Sequence, residues 1–233
     1  MSSRIKRNMK QSKAIPSVAR KAAPDGDRRP TEERQAELID AALRIIETRG
    51  IVALSTRTLA AEVKLSGGAI FRHFSSLDSL LDAVVGRVEA VLDATYPAQD
   101  LAPRERLLAF IELRSGAVGK ERGILRLMLS EQFALALPHD GAKRLGACVE
   151  KSWSFIVACV REGQQLGTIR SDINPLALSV VIVGVIQALA LSQGPLSALG
   201  RGGSALVREG LASLLSAEPA VPKSAAQSKR RKK

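Results

Sequence analysis

Aromatic residues are scarce: five Phe, one Tyr and one Trp make up 3% of 233 residues. The core must therefore be built from Leu, Ile, Val and Ala, which suits packed helices better than a sheet, because strands favour aromatic and β-branched residues. Cysteine is nearly absent. Cys148 and Cys159 exclude a disulfide-rich secreted scaffold. Eleven residues apart on one helix, they would share a face at a separation of about 16 Å, so they read as buried, reduced thiols. The two histidines, His73 and His139, lie far in sequence from both cysteines, which excludes a metal-spaced His/Cys set. No nucleophile–base signature or phosphate-cradling glycine loop is present, so neither an enzyme nor a cofactor is expected. The basic N-terminal stretch Met1–Lys13 has no apolar run and reads as no secretory leader, which points to the cytoplasm. Long hydrophobic runs are also missing. Pro175–Leu191 is very apolar, but it is interrupted by Ser179, Gly184 and Gln187. It also falls short of the roughly 20 residues of a membrane span and has no aromatic belt. It reads as a core helix that also meets a partner subunit, with Gly184 allowing close approach, and no membrane is expected as a partner.

What is present is 45% apolar residues, enough to bury a core, and a formal net charge of +12. The charge is concentrated at the ends. Residues 1–30 hold nine Lys/Arg against Asp25 and Asp27, and residues 219–233 hold six against no acid. The span 31–218 is left with a net charge of −1. Both ends are polar and without apolar periodicity, so they read as disordered basic tails, over 1–30 and 217–233, that attract polyanions, nucleic acid first. Solubilising tails without a specific partner are the alternative.

Between the tails the pattern is helical throughout. Thr31-Glu32-Glu33 opens a first helix that carries Leu38, Ala42, Ile45 and Ile46 on one face and stops at Gly50. A second helix starts at Ser55-Thr56-Arg57-Thr58, and Lys64-Leu65 makes a turn. Ser66 caps a short third helix, from Gly67 to about Phe74, and Ser76 caps a fourth with a clean apolar stripe from Leu77 to Leu92. Five more helices are expected at about 103–118, 121–137, 140–166, 174–192 and 203–215. No segment alternates with period two. The fold class is all-α, with about nine helices.

Residues 55–74 have the form of a helix-turn-helix, whose second helix enters the DNA major groove with its N-terminal residues facing base edges. Several elements fall together at the right spacing: Ile39-Asp40-Ala41-Ala42-Leu43, Gly50, Ser55-Thr56-Arg57-Thr58-Leu59-Ala60, Ser66 through Ser76 with Phe71-Arg72-His73-Phe74, and Leu80-Leu81. In this stretch, about 31–92, the sequence resembles the TetR family of bacterial repressors. A weaker likeness, to that family's turn between its seventh and eighth helices, runs from Arg161-Glu162-Gly163 to Asn174-Pro175.

The resemblance implies a three-helix DNA-binding domain over 31–76 and a helical effector-binding and dimerisation domain over 77–216. It implies that Thr56 bonds phosphate, with Thr58 and Ser66 beside it, and that Arg57 reaches a base edge, Arg on guanine being the commonest specific contact. Gly67, Gly68 and Ala69 would face the bases, and Phe71, Arg72 and His73 would lie along the backbone. Arg28 and Arg29, just ahead of the first helix, would reach a groove or phosphate. Three departures stand out. Phe71 lacks the hydroxyl of the usual tyrosine, and Leu77 replaces a frequent lysine. Lys64 replaces the turn glycine, which demands either a left-handed lysine or a changed turn. Residues 31–80 hold six basic residues against seven acids, so the tails would have to supply the missing positive charge.

For the second half the resemblance implies a homodimer through helices 174–192 and 203–215, an inverted-repeat operator, and a small-molecule effector that releases the DNA. The candidate ligand-binding residues inside the helices are Glu112, Arg114, Arg126, Gln132, Trp153 and Gln164. The paucity of aromatics disfavours a large flat ligand. The alternative is a nucleoid-associated or partner-regulated DNA-binding protein whose tails supply most of the affinity.

Overall fold

The helical periodicity resolves into nine α-helices and one 3-10 turn among the described residues of the computed structural model, which are 31–128, 137, 139–191 and 202–217. In chain order they are α1 (Thr31–Arg49), the 3-10 turn Ile51–Ala53, α2 (Thr56–Glu62), α3 (Gly67–Ile70), α4 (Leu77–Asp93), α5 (Pro103–Lys120), α6 (Arg122–Met128), α7 (His139–Gln165), α8 (Pro175–Leu191) and α9 (Gly203–Leu215). No strand occurs among the described residues. The expected third helix is shorter than its sequence suggests: α3 ends at Ile70, and a turn carries Phe71–His73. Of the helix expected over 121–137, the part from Arg122 to Met128 is described. The two tails, Arg28, Arg29 and Gln132 lie outside the described residues, as does the side chain of His139.

All the described residues belong to one packed unit that begins at Thr31. Within it, two apolar clusters form. The first joins Leu38, Ala42, Ile45 and Ile46 of α1 to Leu59, Ile70 and Phe74, to the α4 stripe Leu80, Val84, Val88 and Leu92, and to Ile124 and Leu127 of α6. The second joins Leu107, Phe110 and Ile111 of α5 to Ile156 and Val160 of α7, Ile182 and Leu189 of α8, and Leu211 and Leu215 of α9. Helix α4 runs through the first cluster and packs on α1, α5 and α7, so it links the helix-turn-helix to the helices beyond it. Arg144 of α7 grips Glu89 and Asp82 of α4, and Lys151 holds Asp93 at 2.6 Å. Exposed pairs of this kind contribute about 0–1 kcal/mol each, so the apolar seam does most of the joining.

Helices α1 and α6 meet with no space for a side chain between them at one position. A Cβ at Gly123 would stand 2.5 Å from the Leu43 carbonyl oxygen, inside van der Waals contact. Glycine is required there because α6 lies with its backbone against α1. Arg126 donates to the Glu47 carbonyl at 2.5 Å, near the end of the same helix, and Gly50 then ends α1 with φ 83°.

Gly123→Ala is therefore expected to push the two helices apart and cost about 1–3 kcal/mol or more. Gly116→Ala on α5 faces open space and should be neutral or stabilising by about 0.5–1 kcal/mol. Thermal melts of the two variants give the comparison. An unchanged melting temperature for Gly123→Ala would refute the close contact.

Candidate nucleic-acid interface

Ser55 stops the chain in an extended conformation and caps α2. Its hydroxyl accepts from Thr58 N at 3.2 Å, while the Thr58 hydroxyl accepts from Ser55 N at 2.9 Å. The Thr58 hydroxyl also donates to a backbone carbonyl, with Ala53 O at 2.7 Å. The Thr58 hydroxyl is thus engaged within the cap. Thr56 is different. No hydrogen bond occupies its hydroxyl among the described residues, and its methyl lies 3.5 Å from where a Gly67 Cβ would be. The start of α2 thus abuts the start of α3.

The turn between α2 and α3 follows from Lys64, which adopts φ 55°. Of the two possibilities raised by the missing glycine, the left-handed lysine is realised. Leu65 N bonds Ala60 O at 2.9 Å and Lys64 N bonds Ala61 O at 3.4 Å, the pair of bonds that closes a helix on a left-handed residue. The usual turn survives, at the steric cost of a Cβ in the left-handed region.

Ser66 caps α3 by accepting from Ala69 N at 3.2 Å, which leaves its O–H free to donate outward. A side chain at Gly68 would meet nothing within 4 Å. Arg57 and Arg72 are exposed and have no ion-pair partner among the described residues. Phe71 is 50% exposed, an apolar ring on an open surface, while Phe74 is buried beneath it. His73 is only partly exposed. Its Nδ1 is buried without a partner, and its carbonyl accepts from Gln35 Nε2 at 2.9 Å. Gln35 ties the end of this segment to α1. No local pattern signals that role, because the contact spans 38 residues.

The surface formed by the starts of α2 and α3 therefore carries one unpaired arginine, two available hydroxyls and a glycine-lined shelf with little steric relief. Residues 38–84 match the model of bacterial regulatory proteins of the tetR family. Over these residues the chain carries the DNA-binding region of the TetR family. The curated relatives that it matches are transcriptional regulators. Among related sequences is the nicotine-responsive transcriptional repressor HdnoR of Paenarthrobacter nicotinovorans. It is 29% identical over 165 residues, covering 66% of this chain and 82% of HdnoR. Among solved structures, the ketosteroid regulator KstR2 of Mycobacterium tuberculosis superposes with TM-score 0.65 at 21% identity, covering 79% of this chain and 96% of KstR2. AibR, solved in complex with isovaleryl coenzyme A and operator DNA, superposes with TM-score 0.64 at 19% identity over 78% of this chain and 98% of AibR. At these identities the structural likeness concerns the fold. Among the described residues, no helix of this chain is long and apolar enough to cross a membrane.

A second candidate site lies in the helical half. A cavity of about 190 Å³ opens between α5, α6, α7 and α8. Of the six candidate ligand residues, Arg114 and Trp153 line it. Three others are placed elsewhere. Glu112 pairs with Arg208 at 3.1 Å on the outside of α5, and Arg126 serves α1. Gln164 donates at 2.9 Å to the carbonyls of both Arg170 and Ile173, holding the turn ahead of α8. Ser152 and Gln187 line the cavity and were not among the candidates, although Gln187 is visible in the sequence as an interruption of an apolar run.

Lys64→Gly tests the strained turn. It removes a left-handed Cβ and no described contact, so stability should rise by about 0.5–1 kcal/mol. A lower melting temperature would mean that the lysine side chain contributes more than its backbone costs.

Proposed function

We propose that this chain is a homodimeric, sequence-specific repressor that leaves an inverted-repeat operator when a small molecule enters the helical half. The observation that carries the reading is the position of α6. Its Leu125 and Met128 line the cavity, and its Gly123 lies against α1 of the helix-turn-helix. Occupying the cavity therefore bears on the element that positions the DNA-reading segment. A ligand that favours one spacing of two such segments shifts the population between bound and free operator. The related HdnoR is named as a nicotine-responsive repressor, and AibR was solved with both an acyl coenzyme A and operator DNA. Both fit the same scheme.

Dimerisation is supported by what α8 leaves uncovered. Leu176, Val180, Gly184 and Ala188 follow one another at four-residue spacing and are all exposed, with Val180 at 60% and Val181 beside it at 51%. Leu206 and Leu214 of α9 are exposed as well. A stripe this apolar on a water-facing helix favours a second copy of the same face, and Gly184, open on its outer side, lets the two helices come close.

In this reading Arg57 reads a base, while Thr56, Ser66 and Arg72 hold phosphates beside the shelf of Gly67, Gly68 and Ala69. Phe71 supplies apolar contact, His73 shapes the end of the segment, and the tails with Arg28 and Arg29 add salt-sensitive attraction. Selection of bound duplexes from a random library by the full-length protein tests the core of the proposal. An enriched inverted repeat is the expected outcome. Binding without enrichment would favour a nucleoid-associated protein driven by its tails.

On that operator, Arg57→Ala should cost about 1–3 kcal/mol of affinity and relax specificity at one position, with no change in melting temperature. Phe71→Tyr should tighten binding by restoring a phosphate-bonding hydroxyl. Val180→Glu with Val181→Glu should yield monomers by light scattering and abolish operator binding while helical content is retained. Persistence of the dimer would move the interface elsewhere.

A further inference from the structure

The cavity contains an unusual group. Arg114 is only 4% exposed, and its guanidinium has no carboxylate partner among the described residues. Its hydrogen bonds go to neutral acceptors: Nε to Thr95 Oγ1 at 2.7 Å, one terminal nitrogen to Ser152 Oγ at 3.1 Å, and the other to Leu92 O at 3.1 Å. The group also stands over the Phe110 ring at 4.7 Å and the Tyr96 ring at 5.4 Å. The nearest acid of note, Asp93, is already engaged by Lys151. A guanidinium has five N–H donors; these bonds use three of them, and the Tyr96 hydroxyl is a further neutral partner. Burial lowers its pKa, the direction expected of a cation held in apolar surroundings.

Two other polar groups lining the cavity keep N–H groups to donate, the Trp153 indole and the Gln187 amide. The Trp153 indole has a donor and no acceptor. The Ser152 hydroxyl donates to Cys148 O at 2.8 Å and receives Arg114. Gln187 has no hydrogen-bond partner among the described residues. The rest of the wall is Phe110, Val118, Ile156, Val183, Ile186 and similar side chains. Such a site lacks a negatively charged acceptor attached to an apolar body. Its 190 Å³ is somewhat larger than the roughly 150 Å³ cavity that holds a benzene ring.

We propose that the effector is a small apolar monocarboxylate, of benzoate or short branched-acid size, whose carboxylate is held by the free N–H groups of Arg114 and by Gln187, with its apolar body between α5, α7 and α8. This rests on the effector-released reading above and gives that effector a chemical class. Neutral ligands of the same shape would leave the buried cation uncompensated.

The test uses the full-length protein and two matched series: benzoate, phenylacetate and hexanoate, and their three amides. The chain's single tryptophan, Trp153, lines the cavity, so its emission reports occupancy directly. The acids should change that emission saturably, release the selected operator, and bind at least about tenfold more tightly than their amides, as expected for a charge-assisted hydrogen-bond pair. Arg114→Lys should lose most of the preference for acids, because an ammonium lacks the planar fork. If that variant fails to fold, Gln187→Leu should weaken the acids several-fold and leave the amides unaffected. Amides that bind as well as the acids would overturn the carboxylate assignment and leave the effector reading standing. Absence of binding by either series would also overturn the assignment. The effector reading fails separately, if no compound of a broad metabolite collection alters operator affinity.

Discussion

Much of this molecule depends on one backbone-to-backbone contact. Where Gly123 lies against the Leu43 carbonyl, there is no room for a side chain, so α6 and α1 are positioned by hard contact and not by compressible side chains. Packed interfaces of this sort do not deform continuously; they hold one arrangement or change to another. The same short helix places Leu125 and Met128 at the cavity wall. It is flanked by the ion pair Arg87–Glu121 at 3.0 Å, which ties α4 to the loop ahead of it. At the other end of α1, Gln35 holds the carbonyl of His73, directly after the DNA-reading turn. A rigid rod thus connects the cavity floor to the end of the helix-turn-helix. The helix-turn-helix and the cavity are thus joined through α1 as well as through α4.

The candidate DNA surface is unusual in how little charge it carries. Arg57 and Arg72 are the exposed cations near the α2–α3 shelf apart from the strained Lys64. Arg44 and Arg49, which could have added to it, both lean on Glu62, at 3.6 and 3.3 Å. Affinity for a polyanion rises with the number of phosphates neutralised, and residues 31–80 have one acid more than they have bases. The positive charge stands instead at the two ends of the chain. In the proposed reading, position and affinity then fall to different parts of the molecule: a nearly neutral, well-capped scaffold would place a few contacts, and the basic segments would draw in the backbone.

The elements most legible in the sequence were those fixed by local rules. Ser66 and Ser76 each cap the helix they were expected to cap, and Ser55, where a helix start was expected, caps α2, because capping needs only a side chain and the three residues after it. The α4 stripe was equally clear, since an apolar face at helical spacing has one stable use. The length of α3 was misjudged because Phe71 to Phe74 keep an apolar pattern through a turn that periodicity cannot distinguish from helix. The cavity was only half legible. A buried Arg looks the same in sequence as a surface Arg. Arg114 is identified by the carbonyl of Leu92 and the hydroxyls of Thr95 and Ser152, which come from two other helical segments. Gln164 and Glu112 were equally plausible in sequence, and tertiary contacts alone placed them on a turn and on the outer surface.

Arg114 is the buried charge beside the cavity, and a desolvated ion without compensation costs several kcal/mol. The fold offsets part of that cost with the C-terminal carbonyl of α4, where a helix end carries partial negative charge and favours a cation, and with the faces of two aromatic rings. These are weak counter-charges. In the reading proposed above, a ligand carboxylate on the remaining N–H groups completes the compensation, beside the donors that hold Leu92 and Thr95. The residue that would bind the ligand is thus the one that fixes the far end of α4, the helix whose near end follows directly on the candidate DNA-binding segment. In that reading, ligand binding and the placement of α4 draw on one guanidinium.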